Sequence, residues 1–235
     1  MGNFPILKVS PIKEIILGIT YNGIVDLDVL DKISDIECIK NKFETEIPTE
    51  QTNINFNKEL NKTETTIKRE GTIFKNSSGK TLQFRIGSVS LHLANKYESL
   101  ADLINEFQIY WDSFIEKTGN LSIVNISVRY INFFPVLENE DVKDYINIYP
   151  NHPFGSLKLS GFSSVKFEMD ETFVTVVSTK GKILNNEGVI LDYTIKKDIK
   201  TDNSSIFEEF KKMQETKNKI FFSSITKKTL KSYTS

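Results

Sequence analysis

Ser78-Gly79-Lys80-Thr81 carries the ending of a phosphate-binding loop, in which glycine amides and a lysine cradle phosphate oxygens. The full motif needs a further glycine where Phe74 stands, and a helix after Thr81, where Leu82-Gln83-Phe84-Arg85-Ile86 has the pattern of a strand. A hairpin loop is the better reading. The two histidines, His92 and His152, lie far apart, with no nearby cysteine and no second histidine one helical turn away, so a zinc site is not expected. His152, between Asn151 and Pro153, reads as an exposed loop residue. It is also the one candidate general base, because histidine titrates near neutrality. The nucleophile elbow of a serine hydrolase, G-x-S-x-G, does not occur. Asp28, Asp31 and Asp35 share a helix face and could hold a cation weakly, but hard cations also recruit loop carbonyls, so a solvated acidic face is expected. Cys38, mid-helix, reads as an inert buried thiol, and as the only cysteine it forms neither an internal disulfide nor a cysteine-built metal site. No catalytic, cofactor-binding or metal-binding residue is assigned.

Charge offers binding rather than catalysis. Thirty Lys+Arg against thirty-one Asp+Glu leave a net charge of −1 over 235 residues, which gives no global field for nucleic acid or an anionic membrane. Locally, ten lysines follow from Lys196 to the end against five acids, including Lys211 and Lys212 on a predicted helix. Such a helix could touch nucleic acid or an acidic partner. Without interleaved exposed aromatics, a solvated face of mixed sign is the plainer expectation. The three arginines, Arg69, Arg85 and Arg129, all fall on predicted strands. If Arg85 and Arg129 share a sheet face they could read an anionic ligand or partner, and otherwise each pairs with an acid across the sheet.

The elements that must position these residues follow from hydrophobic spacing. Ile12–Tyr21 reads as a central strand. Asp26 caps a helix in which Val29/Leu30, Ile33, Ile36 and Ile39 recur at helical intervals. Pro48 ends the connection, and strands follow at Thr52–Phe56, Thr65–Lys75 and Thr81–Leu93. Leu100, Leu103, Ile104, Phe107, Trp111, Phe114 and Ile115 keep a helical rhythm between a Ser99 cap and a Gly119-Asn120 stop. The order then recurs. A strand spans Leu121–Phe134, and an acidic turn opens a short helix through Ile148. Strands at Leu157–Met169, Thr172–Ser178 and Val189–Ile195 precede a final long helix, with a Ser205/Glu208 capping box at its start and a Thr226-capped last turn. The fold class expected is α+β: two similar β-α-βββ-α halves, 1–119 and 120–235, joined as one largely antiparallel curved sheet with long helices on one face.

Three segments, Ser10-Pro11-Ile12-Lys13-Glu14-Ile15-Ile16, Val128-Arg129-Tyr130-Ile131-Asn132 and Ile220-Phe221-Phe222-Ser223-Ser224-Ile225-Thr226, give the chain a resemblance. It resembles a sporadically distributed bacterial family of conserved hypothetical proteins of similar length. The resemblance implies no catalytic residue or cofactor. The family's patchy distribution implies an accessory role, such as a defence or toxin–antitoxin cassette, and its central segment implies a strand whose Tyr130 packs while Arg129 pairs.

The function expected is non-enzymatic: a binding or regulatory protein acting through a sheet face or groove, with a protein partner first and a homodimer as a further option. A small-ligand binder or enzyme with a pocket between sheet and long helix is the alternative, and nucleic-acid binding through the basic helix is third. Candidate interaction residues are Arg85, Arg129, His152, Lys211 and Lys212. Neither a signal peptide nor an apolar run long enough for a bilayer is seen, so a cytoplasmic protein is expected.

Overall fold

Period-two burial builds the sheet. On β1 (Ile12–Asn22), Ile15, Leu17, Ile19 and Tyr21 are buried while Ile16, Gly18 and Thr20 between them are only half-buried. The computed structural model describes residues 4–23, 25, 27–58, 61–95, 98–119, 121–136, 140–148, 162–199 and 205–234. Eight further strands are β2 (Thr45–Asn57), β3 (Lys62–Lys75), β4 (Lys80–Arg85), β5 (Ser88–Ala94), β6 (Ser122–Pro135), β7 (Phe162–Met169), β8 (Thr172–Ile183) and β9 (Asn186–Asp198). All nine form one open sheet in the order β2-β3-β4-β5-β1-β6-β9-β8-β7, each neighbour antiparallel. The order reads alike outward from the central β1/β6 pair. On each side the opening strand is followed by the last strand of its half and then by the one before it.

The first half carries one strand more than its spacing predicts. Thr81–Leu93 is two strands, β4 and β5, turned at Ile86-Gly87, where Gly87 takes φ 84 and its carbonyl accepts the Tyr21 N–H at 2.9 Å. Pro48, expected to end a connection, sits inside β2 opposite Thr72. An edge strand tolerates a residue with no N–H to give.

Five α-helices accompany the sheet among the described residues: α1 (Leu27–Asp31), α2 (Glu37–Lys40), α3 (Leu100–Thr118), α4 (Ile206–Ser224) and α5 (Lys227–Thr234). The single helix expected from Asp26 to Ile39 is instead broken into α1, a 3-10 turn at Ile33–Asp35, and α2, with Ile36 extended between them. Leu30, Ile33, Ile36 and Ile39 are all buried nonetheless. β-branched side chains and the local Ser34-Asp35 pair favour such a break, and the core accepts the broken path because it still takes in every apolar residue. Asp28 and Asp35 therefore do not share one helix face, and the Asp26 cap lies outside the described residues. The helix expected through Ile148 is only a 3-10 turn at Val142–Asp144, closed by a reciprocal Asp141/Asp144 box. The described part of the strand expected at Leu157–Met169 begins at Phe162. Ser205 makes no side-chain cap to α4. Thr226 does cap α5, accepting the Thr229 N–H at 3.1 Å.

α3 is as its spacing predicts. The Ser99 hydroxyl accepts the Asp102 N–H at 3.1 Å, Gly119 closes the helix at φ 79, and Leu103, Phe107, Tyr110, Trp111 and Phe114 are buried. Phe114 meets Tyr21 and Phe84 at ring-centroid distances of 5.9 and 5.1 Å, and Trp111 meets Tyr21 at 6.2 Å. Phe107 packs on Phe207 and Phe210 of α4 at 6.3 and 6.0 Å, while Phe221 of α4 reaches Phe134 of β6 at 6.5 Å. The described buried apolar residues form one core cluster spanning both halves. No described helix is long and apolar enough to cross a membrane.

Candidate recognition face

Residues opposite one another in an antiparallel sheet share a face, so the registers decide which polar side chains meet. Ile16 is opposite His92 on β5 and Arg129 on β6, and Arg129 is opposite Thr194 on β9. One step along β1, Gly18 is opposite Ser90 and Ser127. One step the other way, Glu14 is opposite Ile131, itself opposite Asp192. Glu14, Ser90, His92, Ser127, Arg129, Asp192 and Thr194 therefore lie on the side of the sheet away from Ile15, Leu17 and Ile19.

Four of these, His92, Glu14, Arg129 and Asp192, form a polar row across β5, β1, β6 and β9. His92 Nδ1 stands 2.9 Å from Glu14 Oε1. A carboxylate only accepts, so that nitrogen carries the proton, and Nε2 stands 3.1 Å from the Ser90 hydroxyl. Arg129 holds Asp192 with two parallel donors, Nε to Oδ1 at 2.9 Å and Nη2 to Oδ2 at 2.6 Å. The His92 hydrogen bond, with the Arg129 charge adding to it, holds the Glu14 carboxyl below the usual carboxylate range despite partial burial. Asp192 and then Glu14 raise the Arg129 guanidinium in turn. Beside this row the floor is made of small residues. A Cβ on Gly18 would stand 2.8 Å from Ser127 Oγ.

Ser90, His92 and Glu14 have the connectivity of a nucleophile, a base and the residue that orients it. Acyl transfer would also need N–H donors aimed at a developing oxyanion. β5 and β1 both lie inside the sheet, so their N–H groups are spent on the ladder.

The sequence candidates are dispersed. Arg129 lies in the polar row. Arg85 is on the same face, but three strands across (~14 Å) and four residues along (~13 Å) from Arg129, too far for one small anion to bridge. It faces Glu70 at 3.9 Å. Lys211 and Lys212 are exposed on α4 and held by Glu208 and Glu209 at 2.7 and 2.5 Å, and Lys219 is held by Asp170 at 2.9 Å. The paired charges leave little of the basic stripe that favours nucleic acid. His152 lies outside the described residues. The phosphate-loop look-alike is a hairpin loop. Asn76 Oδ1 accepts from Ser78 N and Lys80 N at 3.1 and 2.9 Å, and the Lys80 ammonium is held by Glu106 at 2.5 Å. Cys38 is half-buried rather than buried, with its Sγ 3.6 Å from Ser113 Oγ.

Glu14, Ser90 and Asp192 are the residues that reading the sequence missed. Alternation gave each a face, but only strand order shows that β1 lies between β5 and β6. The chain matches no protein-family model, and no curated protein matches it.

The other side of the same strands holds a second feature. Tyr130 is buried and stacks on Tyr193 at 5.4 Å, and the Lys217 ammonium of α4 lies 5.4 Å from the Tyr130 ring. Burial lowers the Lys217 pKa, and among the described residues no carboxylate stands within ion-pair reach of it. A cavity of about 520 Å³ opens beside it, lined by Phe4, Leu7, Lys8, Tyr193 and Phe222 among others, with no acidic residue in its wall among the described residues.

Proposed function

We propose that the protein is a non-enzymatic binding protein whose recognition surface is the sheet face carrying His92, Glu14, Arg129 and Asp192. In this reading the two halves form one curved sheet, α3 and α4 cover the apolar side, and the polar side is left for a protein partner. The observation that carries it is the four-residue polar row flanking the β1/β6 seam, fixed by hydrogen bonds from β5 to β1 and from β6 to β9. Fixed, half-buried charges cost little ordering on association and select partners by complementarity. The test compares partners recovered by the wild-type chain and by Arg129→Glu from native lysate, with circular dichroism verifying the fold. A partner held by the wild type and lost by the variant is expected. Equal recovery by both would remove this face from consideration.

The cavity beside Lys217 favours a second reading, a binder of small amphipathic carboxylates. A half-buried ammonium with no carboxylate beside it among the described residues is costly, and a largely apolar wall of this size accommodates a hydrocarbon tail beneath an anionic head. Dodecanoate should raise the melting temperature where dodecylammonium does not, and Lys217→Met should abolish the difference. Equal effects of the two amphiphiles would dismiss the reading.

A further inference from the structure

β2 and β3 leave the body of the sheet together. β3 pairs with β4 only over Gly71–Lys75, whereas its pairing with β2 runs on to Asn57 opposite Lys62. The overhang is a two-stranded ribbon, an element only marginally stable in water by itself. Thr52, Ile54 and Phe56 line one of its faces, opposite Ile67, Thr65 and Thr63. Ile54 is 67% exposed, and Phe56 and Ile67 are each 61% exposed. β2 is also the terminal strand of the sheet, so its outer edge has no neighbouring strand among the described residues. Such edges are ordinarily guarded by lysine, proline or a bulge, but Gln51–Asn57 carries no charge and no proline. That composition is one that pairs readily with another strand.

We propose that a second copy of this chain pairs with β2, antiparallel, across a two-fold axis through Ile54. A two-fold axis normal to the sheet keeps each side chain on its own face, so opposed residue numbers must sum to an even value. With Ile54 on the axis, Ile54 meets its own symmetry mate, and Thr52 meets Phe56 of the second copy. The apolar stripe then runs unbroken from one ribbon to the other. Glu50 falls opposite Lys58 of the second copy at both ends, an ion pair formed twice by symmetry. Moving the axis to Asn53 sets Phe56 against Glu50, and moving it to Asn55 sets Lys58 against Thr52. Only the Ile54 register satisfies the stripe and the charges together.

Sedimentation velocity over a concentration series of the full chain tests this. A concentration-dependent dimer is expected, and Ile54→Lys, which brings two ammonium groups together on the axis, should abolish it. Glu50→Lys and Lys58→Glu should each weaken dimerisation about tenfold by juxtaposing like charges, and the double reversal should restore it. These exposed positions keep the test independent of folding should Ile54→Lys disturb the ribbon. A monomer at every concentration, a dimer indifferent to Ile54→Lys, or single reversals not rescued by the double variant would overturn the proposal.

Discussion

Lys80 shows how one side chain can stabilise a fold while resembling a catalytic group. Its ammonium reaches Glu106 of α3 at 2.5 Å and Glu98 at 2.9 Å, and Glu106 also accepts the Tyr110 hydroxyl at 2.6 Å. Burial pulls the Glu106 carboxyl upward, but the hydrogen bonds from Lys80 and Tyr110 outweigh it and hold the group below the usual carboxylate range. Glu106→Gln should therefore cost about 1.5–3 kcal/mol, because it removes a charge-assisted hydrogen bond and leaves a largely buried ammonium with Glu98 alone, and urea denaturation would measure it. Glu14 and Glu209 are held low in the same sense, by His92 and by Lys197. A carboxyl whose folded pKa is depressed lends stability above its unfolded value, near ~4.3, and loses it as pH falls from there through the folded value. The melting temperature should accordingly be level above about pH 5 and drop below about pH 4, less steeply in Glu106→Gln. A melting temperature rising with acidification would contradict this assignment.

At the scale of elements, α3 joins the two halves of the core. Trp111 is 2% exposed and packs against Tyr21 and Phe114, so Trp111→Ala should destabilise the protein by about 3–5 kcal/mol, read by thermal or chemical denaturation. The helix could be read from its sequence because seven apolar residues at helical spacing lie between a serine cap and a glycine stop, and each signal points the same way. The α1–α2 segment could not, because its isoleucines reach the core equally well along a broken path. The β4–β5 turn was hidden for a different reason. Ile86-Gly87 offers one apolar residue and one glycine, so the hydrophobic run continues in sequence after the chain has reversed. The polar face was half legible. Pairing of strand arginines with acids is an ordinary cross-strand habit, and Arg129 with Asp192 follows it. Joining His92 to Glu14, by contrast, requires knowing which strands are neighbours.

For the whole molecule, everything turns on where β1 sits. It precedes the other described strands in sequence, yet its neighbours are β5 at Ser88–Ala94 and β6 at Ser122–Pro135. A fragment ending at Gly119 would keep β5 and present the other edge of β1, with Ile15, Leu17 and Ile19, to solvent. Such a fragment should form large aggregates where the full chain does not, as light scattering would detect. Contacts this distant in sequence make folding slow, because each closes a long loop before it is rewarded. During synthesis β1 must wait, apolar and unpaired, while the β2–β3 hairpin closes locally behind it. Until residue 135 has left the ribosome, β1 therefore keeps one apolar edge open.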